Sequence, residues 1–294
     1  MILVVGATGT VGGRIAHGLL AQEKEVRILV RDPSPSVDLA PMGLATSADS
    51  LVAAGAQLVN GDLTDRASLT TACAEVDTVI TTATAAKRDG DLEAVDLNGT
   101  LNLIDAAVEA GVSHFIYTSA YGSEIGSPNP MLHIRATCEK ALVESGLTWT
   151  ILQVSYLYEV LGSMVIGIPL QAGEPVSLFE DGRHRHSFIS EADVAAFAIA
   201  AVDHPAAHNT RFELGGPSHS WREIVDATGK ALGRELPVRF LPHDGELPLL
   251  DPGLNPWLVA METFETFIDM GDIPAQFGVE LTPLPTVMEQ LFSS

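Results

Sequence analysis

The sequence predicts an α/β protein, in which a doubly wound parallel sheet carries helices on both faces and a smaller C-terminal substrate lobe follows. Three observations predict this fold. Apolar strand-like segments alternate with helical segments over the first half of the chain, as in a parallel sheet covered by helices. The first of these strands runs directly into glycines spaced three apart. Beyond Leu152 the elements become short, and most of the prolines lie there.

The glycine-rich turn near the start of the chain is the most informative element. Gly6, Gly9 and Gly12 lie between an apolar strand and an apolar helix. In this pattern the first glycine permits a tight turn, the second lets the backbone approach a pyrophosphate, and the third lets the helix pack against the strand. The helix N-terminus adds free N–H groups and a partial positive charge. The turn therefore favours a Rossmann-like dinucleotide-binding domain over a purely structural turn.

The remaining elements follow from hydrophobic patterning along the chain. Strands are predicted over 25–30, 57–60, 78–82, 114–118 and 148–152, and helices near 51–54, 92–110 and 136–145. Thr64 or Asp65 can cap the helix after the third strand, and Gly111 suits the position after the long helix. We expect an NAD(P)-binding domain over 1–153 and a substrate lobe over 154–294, of which about 185–215 returns to the first sheet. Such a lobe would close the pocket beyond the strand ends.

Composition and charge narrow the classes of partner. The chain has 294 residues and a formal net charge of -22, which repels nucleic acid phosphates and anionic lipid. The first strand begins at residue 2 and no apolar run is long enough to span a membrane, so we expect a soluble, cytoplasmic, acidic protein. Cys73 and Cys138 lack metal-ligand spacing. His184 and His186 have no companion ligand, so they are interpreted as a surface or pocket-lining pair, and no metal is expected.

Several longer motifs occur together in one order. They are GATGTVGG, VRILVRDPS, VNGDLTD, VDLNGTLNLIDAA, HFIYTSA, EKALVESGLTWTIL and ELGGPSHSWREIVDATGKALGREL. With them the chain resembles the atypical short-chain dehydrogenase/reductase-like proteins of the NmrA type, near the quinone and triphenylmethane-dye reductases. The resemblance covers essentially the whole chain.

The resemblance implies a set of cofactor-binding residues. The pyrophosphate would be wrapped by Gly6, Thr8, Gly9, Thr10, Val11 and Gly12. Asp62 and Leu63 resemble the pair that reads the adenine edge, and the turn Thr82, Ala83 and Thr84 resembles the one that runs past the cofactor.

The residue after the second strand bears on the choice between NADP(H) and NAD(H). Arg31 stands where the adenosine ribose is read, and a guanidinium suits a 2′-phosphate. Arg14, one turn into the first helix, could assist. We therefore favour NADP(H) over NAD(H), although Asp32 beside Arg31 keeps NAD(H) open, and Arg31 could also be a solvated strand-end residue.

The catalytic half departs from the wider superfamily. That superfamily uses Tyr-x-x-x-Lys, in which the lysine lowers the tyrosine pKa and holds the nicotinamide ribose. None of the four tyrosines has a lysine four residues later. Aligned on Cys138 and Glu139, the lysine position falls on Arg135 and the tyrosine position on Met131. Arg135 could still bond ribose hydroxyls, but a thioether is no acid.

The remaining candidate catalytic residues are few. Ser119 ends the fifth strand, Tyr121 follows it, and His133 stands near the start of the next helix. Histidine can protonate a substrate near neutral pH, but a capping or packing role is an equal alternative. For Tyr121 simple packing is the competing interpretation.

Two functions are open from the sequence. The first is an NADPH-dependent reductase of a small apolar or aromatic conjugated acceptor such as a quinone, which needs mainly positioning from the protein. Side chains that could line its pocket are Tyr156, Tyr158, Met164, Ile166, Phe179 and Trp257. The alternative is a non-catalytic NmrA-like dinucleotide sensor that acts through a protein partner. A reductase or isomerase of one biosynthetic intermediate is a further possibility.

Overall fold

A computed structural model describes residues 1–31, 46–85, 91–250 and 255–292. Contacts divide the chain into two compact units. The first unit comprises Met1–Val154, Val194–Glu213 and Ala275–Val279, and the second comprises Ser155–Asp193, Leu214–Pro274 and Glu280–Ser294. The chain thus leaves the first unit after Val154 and returns to it twice. The substrate role expected for the second region stays a prediction.

Strands and helices alternate up to Val154. The strands are β1 (Ile2–Val5), β2 (Val26–Val30), β3 (Gln57–Asn60), β4 (Thr78–Thr81), β5 (His114–Ala120) and β6 (Thr148–Val154). The helices are α1 (Thr10–Ala21), α2 (Ala48–Ala53), α3 (Arg66–Cys73), α4 (Thr100–Ala110) and α5 (Pro130–Glu144). The predicted strands and helices are all present, and most ends differ by a few residues from the sequence-based bounds. The helix predicted over 136–145 begins earlier, at Pro130.

Shorter elements follow Val154. They are β7 (Tyr156–Leu157), α6 (Tyr158–Gly162), α7 (Ile168–Ala172), β8 (Val176–Phe179), β9 (Arg185–Ile189), α8 (Glu191–Ala201), β10 (Thr210–Leu214), β11 (Ser218–Ser220), α9 (Trp221–Ala231), β12 (Val238–Leu241), α10 (Asn255–Met261), α11 (Ile273–Phe277) and α12 (Leu284–Phe292).

The central sheet has seven strands in the order β10-β6-β5-β4-β1-β2-β3. Strands β1 to β6 pair in parallel, and the register places Val5 opposite both Leu29 and Thr81. Thr81 in turn lies opposite Tyr117. Helices cover both sides of the sheet, so the predicted Rossmann-like doubly wound fold is confirmed. The C-terminal ends of β1, β2, β4 and β5 therefore meet at one edge, where such sheets bind ligands.

Local sequence signals set the helix ends. Asp65 accepts a hydrogen bond from the backbone N–H of Ala67 and caps α3, and Asn129 caps α5 before Pro130. Gly111 ends α4 with φ +72°, as predicted. Each is a position where a side-chain acceptor or a left-handed backbone satisfies groups that the helix leaves unpaired.

The segment predicted as one helix over 92–110 has two parts. Glu93–Gly99 forms wider, π-helical turns before α4 begins. Within these turns Asp96 is buried, and a Cβ on Gly99 would stand only 2.7 Å from the Cβ of Leu63. The sequence pattern does not separate the two helix types, because both place apolar side chains on one face.

The second unit has its own sheets and core. Its sheets are β11-β9-β7 and β12-β8. Of the side chains expected to line a pocket, Tyr158, Ile166 and Phe179 belong to this core. Tyr156, Met164 and Trp257 are partly buried and pack against it. Three of the six therefore have a structural role within the unit.

No helix within the described ranges is both long enough and apolar enough to cross a membrane.

A buried histidine joins β5 to β6 in the first unit. His114 Nε2 lies 2.8 Å from Thr150 Oγ1, and the Thr150 hydroxyl donates to the carbonyl of Ala207 at 2.7 Å. Since Thr150 has only one hydrogen to donate, His114 donates from Nε2. Burial, followed by the nearby His208 ring, lowers the pKa of His114 from 6.5 to about 4.

We expect this histidine to make the fold acid-sensitive. Below pH 6.5 the unfolded chain binds a proton that folded His114 does not, so stability falls as the pH drops from 6.5 to about 4. The loss approaches ~3 kcal/mol at the low end. Urea unfolding at several pH values measures it. His114→Gln should flatten that pH dependence, whereas replacing the exposed His17 should not; equal slopes in all three proteins would contradict the prediction.

Candidate active site

Steric constraints explain two of the three glycines in the first turn. Gly6 has φ +88°, and a Cβ there would lie 2.8 Å from Thr82 Oγ1 and 2.9 Å from the Ala83 nitrogen. A Cβ on Gly12 would lie 2.2 Å from the Gly6 carbonyl oxygen. No side chain fits at either position without moving backbone. The turn is therefore packed tightly between β1, α1 and the end of β4.

Gly9 is different, because it is exposed and begins α1. A Cβ there would meet only the Gly6 oxygen, at 3.2 Å. The N-cap residue of α1 is Gly9, which has no side chain to cap the helix, and the first turn of α1 holds no acidic residue. The N–H groups of this helix start thus suit an anion. Thr8, Thr10 and Val11 are half-buried around it. The geometry fits the pyrophosphate of a dinucleotide.

The residues expected around the adenosine lie at the ends of β2 and β3. Arg31 is exposed directly after β2. Asp62 follows β3 closely, and its Oδ1 accepts from the Thr64 backbone N–H at 2.8 Å and the Thr64 hydroxyl at 2.7 Å. Leu63 is buried in the core of the first unit. Asp62 therefore shapes its own turn, and the cofactor contacts of the three candidates stay predictions.

The turn after β4 packs against the glycine-rich turn. The Thr82 backbone N–H donates to the Val5 carbonyl at 3.0 Å, which continues the sheet pairing by one residue. Thr82, Ala83 and Thr84 are half-buried. The next amide, that of Ala85, donates to Asp96 Oδ2 at 2.8 Å. A buried carboxylate thus holds the end of this turn.

Asp96 forms a buried ion pair with Arg135. Arg135 Nη2 lies 3.0 Å from Asp96 Oδ1, and the exposed fractions of the two side chains are 8% and 0%. Arg135 Nη1 donates to the Tyr117 hydroxyl at 3.1 Å and to the Thr118 carbonyl at 3.4 Å. Arg135 therefore joins α5 to β5 and, through Asp96, to the turn after β4. Its contact with a cofactor ribose stays a prediction.

The electrostatics of this cluster favour a charged arginine and a neutral tyrosine. Burial raises the pKa of Tyr117 well above its ordinary value, and the adjacent Arg135 opposes the rise only in part. Burial lowers the pKa of Arg135, but Tyr117 and Asp96 together raise it by more. Tyr117 is thus a hydrogen-bonding partner of Arg135 rather than an acid near neutral pH.

A second buried carboxylate stands behind Ser119. The Ser119 hydroxyl donates to Glu139 Oε1 at 2.5 Å. Gln153 Nε2 donates to Oε1 at 2.8 Å and to Oε2 at 3.1 Å. Arg211 Nε lies 2.9 Å from Oε2. Elements β5, α5, β6 and β10 therefore converge on Glu139.

His133 and Tyr121 lie closer to solvent than Ser119. His133 is exposed near the start of α5, and its Nδ1 accepts from the Gly126 backbone N–H at 2.9 Å. The neutral ring therefore carries its hydrogen on Nε2. Tyr121 is half-buried, and its backbone N–H donates to the Val154 carbonyl at 2.9 Å. Ser119 lies in β5, Tyr121 directly follows that strand and His133 lies in α5, and their catalytic roles stay predictions.

Sequence reasoning missed the polar residues behind the candidates. Asp96 and Glu139 stand in helical segments, where acids are usually solvated, and Gln153 and Arg211 lie on strands. The available signal was the neighbourhood of each acid. Asp96 follows Ala-Val, and Glu139 follows Cys138 on the face that β5 and β6 cover. An acid flanked by core positions at helical spacing indicates a buried, partnered carboxylate.

The histidine pair of the second unit has structural partners. His186 is completely buried, with Nδ1 at 3.1 Å from Thr266 Oγ1 and Nε2 at 2.8 Å from the Met261 carbonyl oxygen. The interpretation of a surface or pocket-lining pair is therefore wrong for His186, because it lies inside the unit. His184 is half-buried, and its Nδ1 lies 3.2 Å from Glu262 Oε2. No group of three or more potential metal ligands occurs in the part of the chain that the structure describes.

The fold is that of a Rossmann-like α/β protein, and its first βα turn has the glycine pattern that binds phosphate in such proteins. The profile of the NmrA-like family matches residues 1–291. The chain therefore belongs to the NmrA-like family, and the resemblance noted from the sequence is confirmed.

Proteins that are similar to this chain are named for different activities. The NAD(P)H azoreductase of Xenophilus azovorans is 30% identical over 242 residues, which cover 82% of this chain and 76% of that protein. The photosystem II assembly factor Ycf39 of Cyanophora paradoxa is 30% identical over 244 residues, with 82% and 71% covered. The phenylcoumaran benzylic ether reductase PT1 of Pinus taeda is 26% identical over 301 residues, with 99% and 93% covered.

Solved structures share the fold over nearly the whole chain. The NADPH-dependent quinone oxidoreductase QOR2 of Escherichia coli, complexed with NADPH, has a TM-score of 0.77 at 23% identity, and the match covers 99% of this chain and 100% of that one. The triphenylmethane reductase of Citrobacter sp. also has a TM-score of 0.77, at 18% identity, with 100% and 99% covered.

We expect the Asp96–Arg135 pair to be essential for stability. Arg135→Ala would leave a buried carboxylate without its charged partner, which costs about 3–5 kcal/mol. Chemical unfolding followed by circular dichroism measures the loss. Arg14→Ala, at an exposed position of α1, is the control and should change stability by less than about 0.5 kcal/mol. Matching midpoints for the two variants would show that the pair is dispensable.

Proposed function

We propose that the chain is an NADPH-dependent reductase that transfers a hydride to a small conjugated acceptor such as a quinone, without a Tyr-x-x-x-Lys dyad. The observation that carries the proposal is the start of α1. An exposed glycine begins the helix, with no side-chain cap and no acid in its first turn. Such a helix start binds phosphate through backbone N–H groups.

The preference for NADPH rests on Arg31. Its exposed guanidinium follows β2 at the sheet edge where the glycine-rich turn also lies. An acid at this position accepts from a ribose 2′-hydroxyl, whereas a guanidinium pairs with a 2′-phosphate through charge-assisted hydrogen bonds. Asp32 lies outside the described residues. Arg31 therefore supports NADP(H) over NAD(H).

The absence of the dyad limits the chemistry that the residues can perform. Bound NADPH would supply the hydride. Met131 cannot exchange a proton, and Arg135 is committed to Asp96 and Tyr117. An electron-poor conjugated acceptor needs a positioned ring and a proton from water or from a nearby donor. His133 Nε2–H is the candidate donor that faces solvent, with its ring oriented by Gly126.

The family supports a reductase in general terms. Azo compounds, quinones and triphenylmethane dyes, named for the relatives and neighbours above, are all conjugated acceptors. Among the similar structures, three contain NADPH, NADP(H) or NADP⁺, and one contains NAD⁺. A small apolar or aromatic substrate fits this group. The cytoplasmic location and the exclusion of nucleic acid and membrane partners, expected from charge and sequence, stay part of the proposal.

The proposal is tested by titration with NADPH followed by NADPH oxidation against a panel of quinones and azo dyes. We expect saturable binding and turnover. Gly9→Asp is the variant that tests where the pyrophosphate binds. A carboxylate at the N-cap should leave stability unchanged or raise it by a few tenths of a kcal/mol, yet weaken NADPH binding at least tenfold because it occupies and repels the phosphate site. Unchanged NADPH affinity in Gly9→Asp would contradict this placement of the pyrophosphate.

Cofactor choice is tested at Arg31. Arg31→Glu should weaken NADPH by about tenfold or more, the scale of one to two charge-assisted hydrogen bonds, and should weaken NADH much less. Fluorescence titration with both cofactors measures the ratio of dissociation constants, and Arg234→Glu, at an exposed position of the second unit, controls for the change in net charge. Equal losses for the two cofactors would mean that Arg31 does not read the 2′-phosphate.

One group of relatives supports a second candidate function. The photosystem II assembly factor of Cyanophora paradoxa is as similar to this chain as the azoreductase, at 30% identity. Because an assembly factor is not named for a reaction, the alternative function is a dinucleotide-binding protein that acts through a protein partner. A benzylic ether reductase among the relatives equally suggests a single biosynthetic intermediate as substrate. Tight NADPH binding without turnover on the panel would favour these two alternatives, and cofactor-dependent capture of one partner would select the sensor.

A further inference from the structure

An exposed aromatic segment follows α10 in the second unit. Phe267 is 65% exposed, the highest exposed fraction of any large apolar side chain among the described residues, and Phe264 is 45% exposed. A single exposed apolar side chain is common at a protein surface. These two lie close together in one segment, and clustered exposed apolar surface is typical of a contact with another protein.

The backbone of this segment is bonded to β9. Thr266 is buried between the two phenylalanines. Its N–H donates to the Arg185 carbonyl at 3.0 Å, and its carbonyl accepts from the Ser187 N–H at 2.9 Å. The Phe264 ring packs edge-on against the His186 ring, with centroids 5.3 Å apart. Since the segment is already ordered, a partner that binds it gives up little conformational entropy.

The charge around the two phenylalanines is negative. Glu265, Asp269 and Asp272 are exposed, and the sequence holds no lysine or arginine after residue 239. Arg185 reaches Glu265 only through its backbone N–H, at 3.2 Å, because its guanidinium is bonded to Glu223. Two such surfaces repel each other, so a partner must bring a cation. We call this surface the acidic aromatic patch, which comprises Phe264, Glu265, Phe267, Asp269 and Asp272.

A surface of complementary character belongs to the same unit. The guanidinium carbon of Arg222 lies 4.7 Å from the centroid of the Phe240 ring, and Phe240 is 46% exposed. Arg222 Nε donates to the Asp181 carbonyl at 2.7 Å, a group without net charge. Arg222 and Phe240, the arginine–phenylalanine patch, therefore combine a cation with an exposed ring, as interface surfaces that bind acids and aromatic side chains do.

The acids near Arg222 are bonded to other groups. Their partners are Arg183 for the Asp181 carboxylate at 3.1 Å, Arg239 for Glu174 at 3.4 Å, and the backbone N–H of His243 for Glu180 at 3.0 Å. The positive charge of Arg222 is thus left for a carboxylate from another molecule.

The segment that leads into β9 connects the two patches. The Arg222 N–H donates to the Gly182 carbonyl at 3.1 Å. Two residues further on, His184 Nδ1 lies 3.2 Å from Glu262 Oε2, and Glu262 stands directly before the segment that carries Phe264. In a two-fold symmetric pair, each patch of one copy can therefore meet the other patch of the second copy, so that two identical contacts form at once.

We propose that the chain forms a two-fold symmetric dimer, in which the acidic aromatic patch of each copy docks on the arginine–phenylalanine patch of the other. The rings supply the apolar contact, and carboxylates beside Arg222 supply charge-assisted hydrogen bonds and orientation. The net charge of -22 opposes association, but salt screens this repulsion beyond about 8 Å under physiological conditions. The inference goes beyond the proposed function and does not depend on it.

The test is the oligomeric state of the full chain, measured by sedimentation velocity over a series of concentrations. We expect a monomer–dimer equilibrium for wild type. Arg222→Glu and Glu265→Arg should each raise the dimer Kd about tenfold or more, because like charges then meet at both contacts. An equimolar mixture of the two variants should dimerise again, since one contact of the mixed dimer is native and the other holds the reversed pair.

Matched controls carry the same charge changes outside the patches. Arg234→Glu and Glu289→Arg, at exposed positions of the second unit, should keep the wild-type Kd. Phe267→Ser should raise the Kd about tenfold or more, the scale of one truncated anchor residue. Ile125→Ser, at a 55% exposed position of the first unit, should leave the Kd unchanged.

Three outcomes would overturn the inference. They are a wild type that stays monomeric at every concentration, a dimer that persists in folded Arg222→Glu, Glu265→Arg and Phe267→Ser, and a mixture of the two charge variants that stays monomeric. If Arg222→Glu does not fold, Glu265→Arg and Phe240→Ser, both at exposed positions, decide the question through their dimer Kd.

Discussion

The close contact between Gly12 and the Gly6 carbonyl is the constraint on which the rest of the site depends. A single added carbon at Gly12 would lie 2.2 Å from that oxygen, so helix and strand can approach this closely only without a side chain. The approach fixes where α1 begins and presents its first N–H groups at the C-terminal edge of β1. The turn after β4 then packs against Gly6. The family's first motif is thus a packing requirement as well as a phosphate-binding pattern.

Two buried carboxylates organise the region beyond β4 and β5. Asp96 holds the Ala85 amide and pairs with Arg135, while Glu139 gathers Ser119, Gln153 and Arg211. A buried charge is tolerated only when its lone pairs are satisfied, and each carboxylate has partners from several elements. These partners compensate the free energy of desolvating the two carboxylates, and they hold the end of β5 in a fixed geometry. In this chain that order is supplied by acids in helical segments.

Arg135 is bonded to the buried Asp96 and to the Tyr117 hydroxyl, and the high pKa of Tyr117 keeps that phenol neutral near neutral pH. His133 lies nearer solvent, and the Gly126 N–H that donates to its Nδ1 leaves the hydrogen of the neutral ring on Nε2. Its part in proton exchange stays a prediction.

The sequence by itself determined the sheet, its parallel order of strands and helices, and the glycine-rich turn, because periodicity and glycine spacing are local properties of the chain. The helix caps at Asp65 and Gly111 were also among the positions predicted from the sequence. Tertiary structure alone decided the rest. Asp96 looks like a solvated helix acid until Arg135 and the Ala85 amide meet it, and Glu139 does so until Ser119 of β5 and Gln153 of β6 meet it. His186 looks like half of an exposed pair until Thr266 and Met261 bind its nitrogens. Hydrogen-bond partners 39 to 80 residues apart leave no periodic signal in the chain, since only folding brings them within about 3 Å of each other.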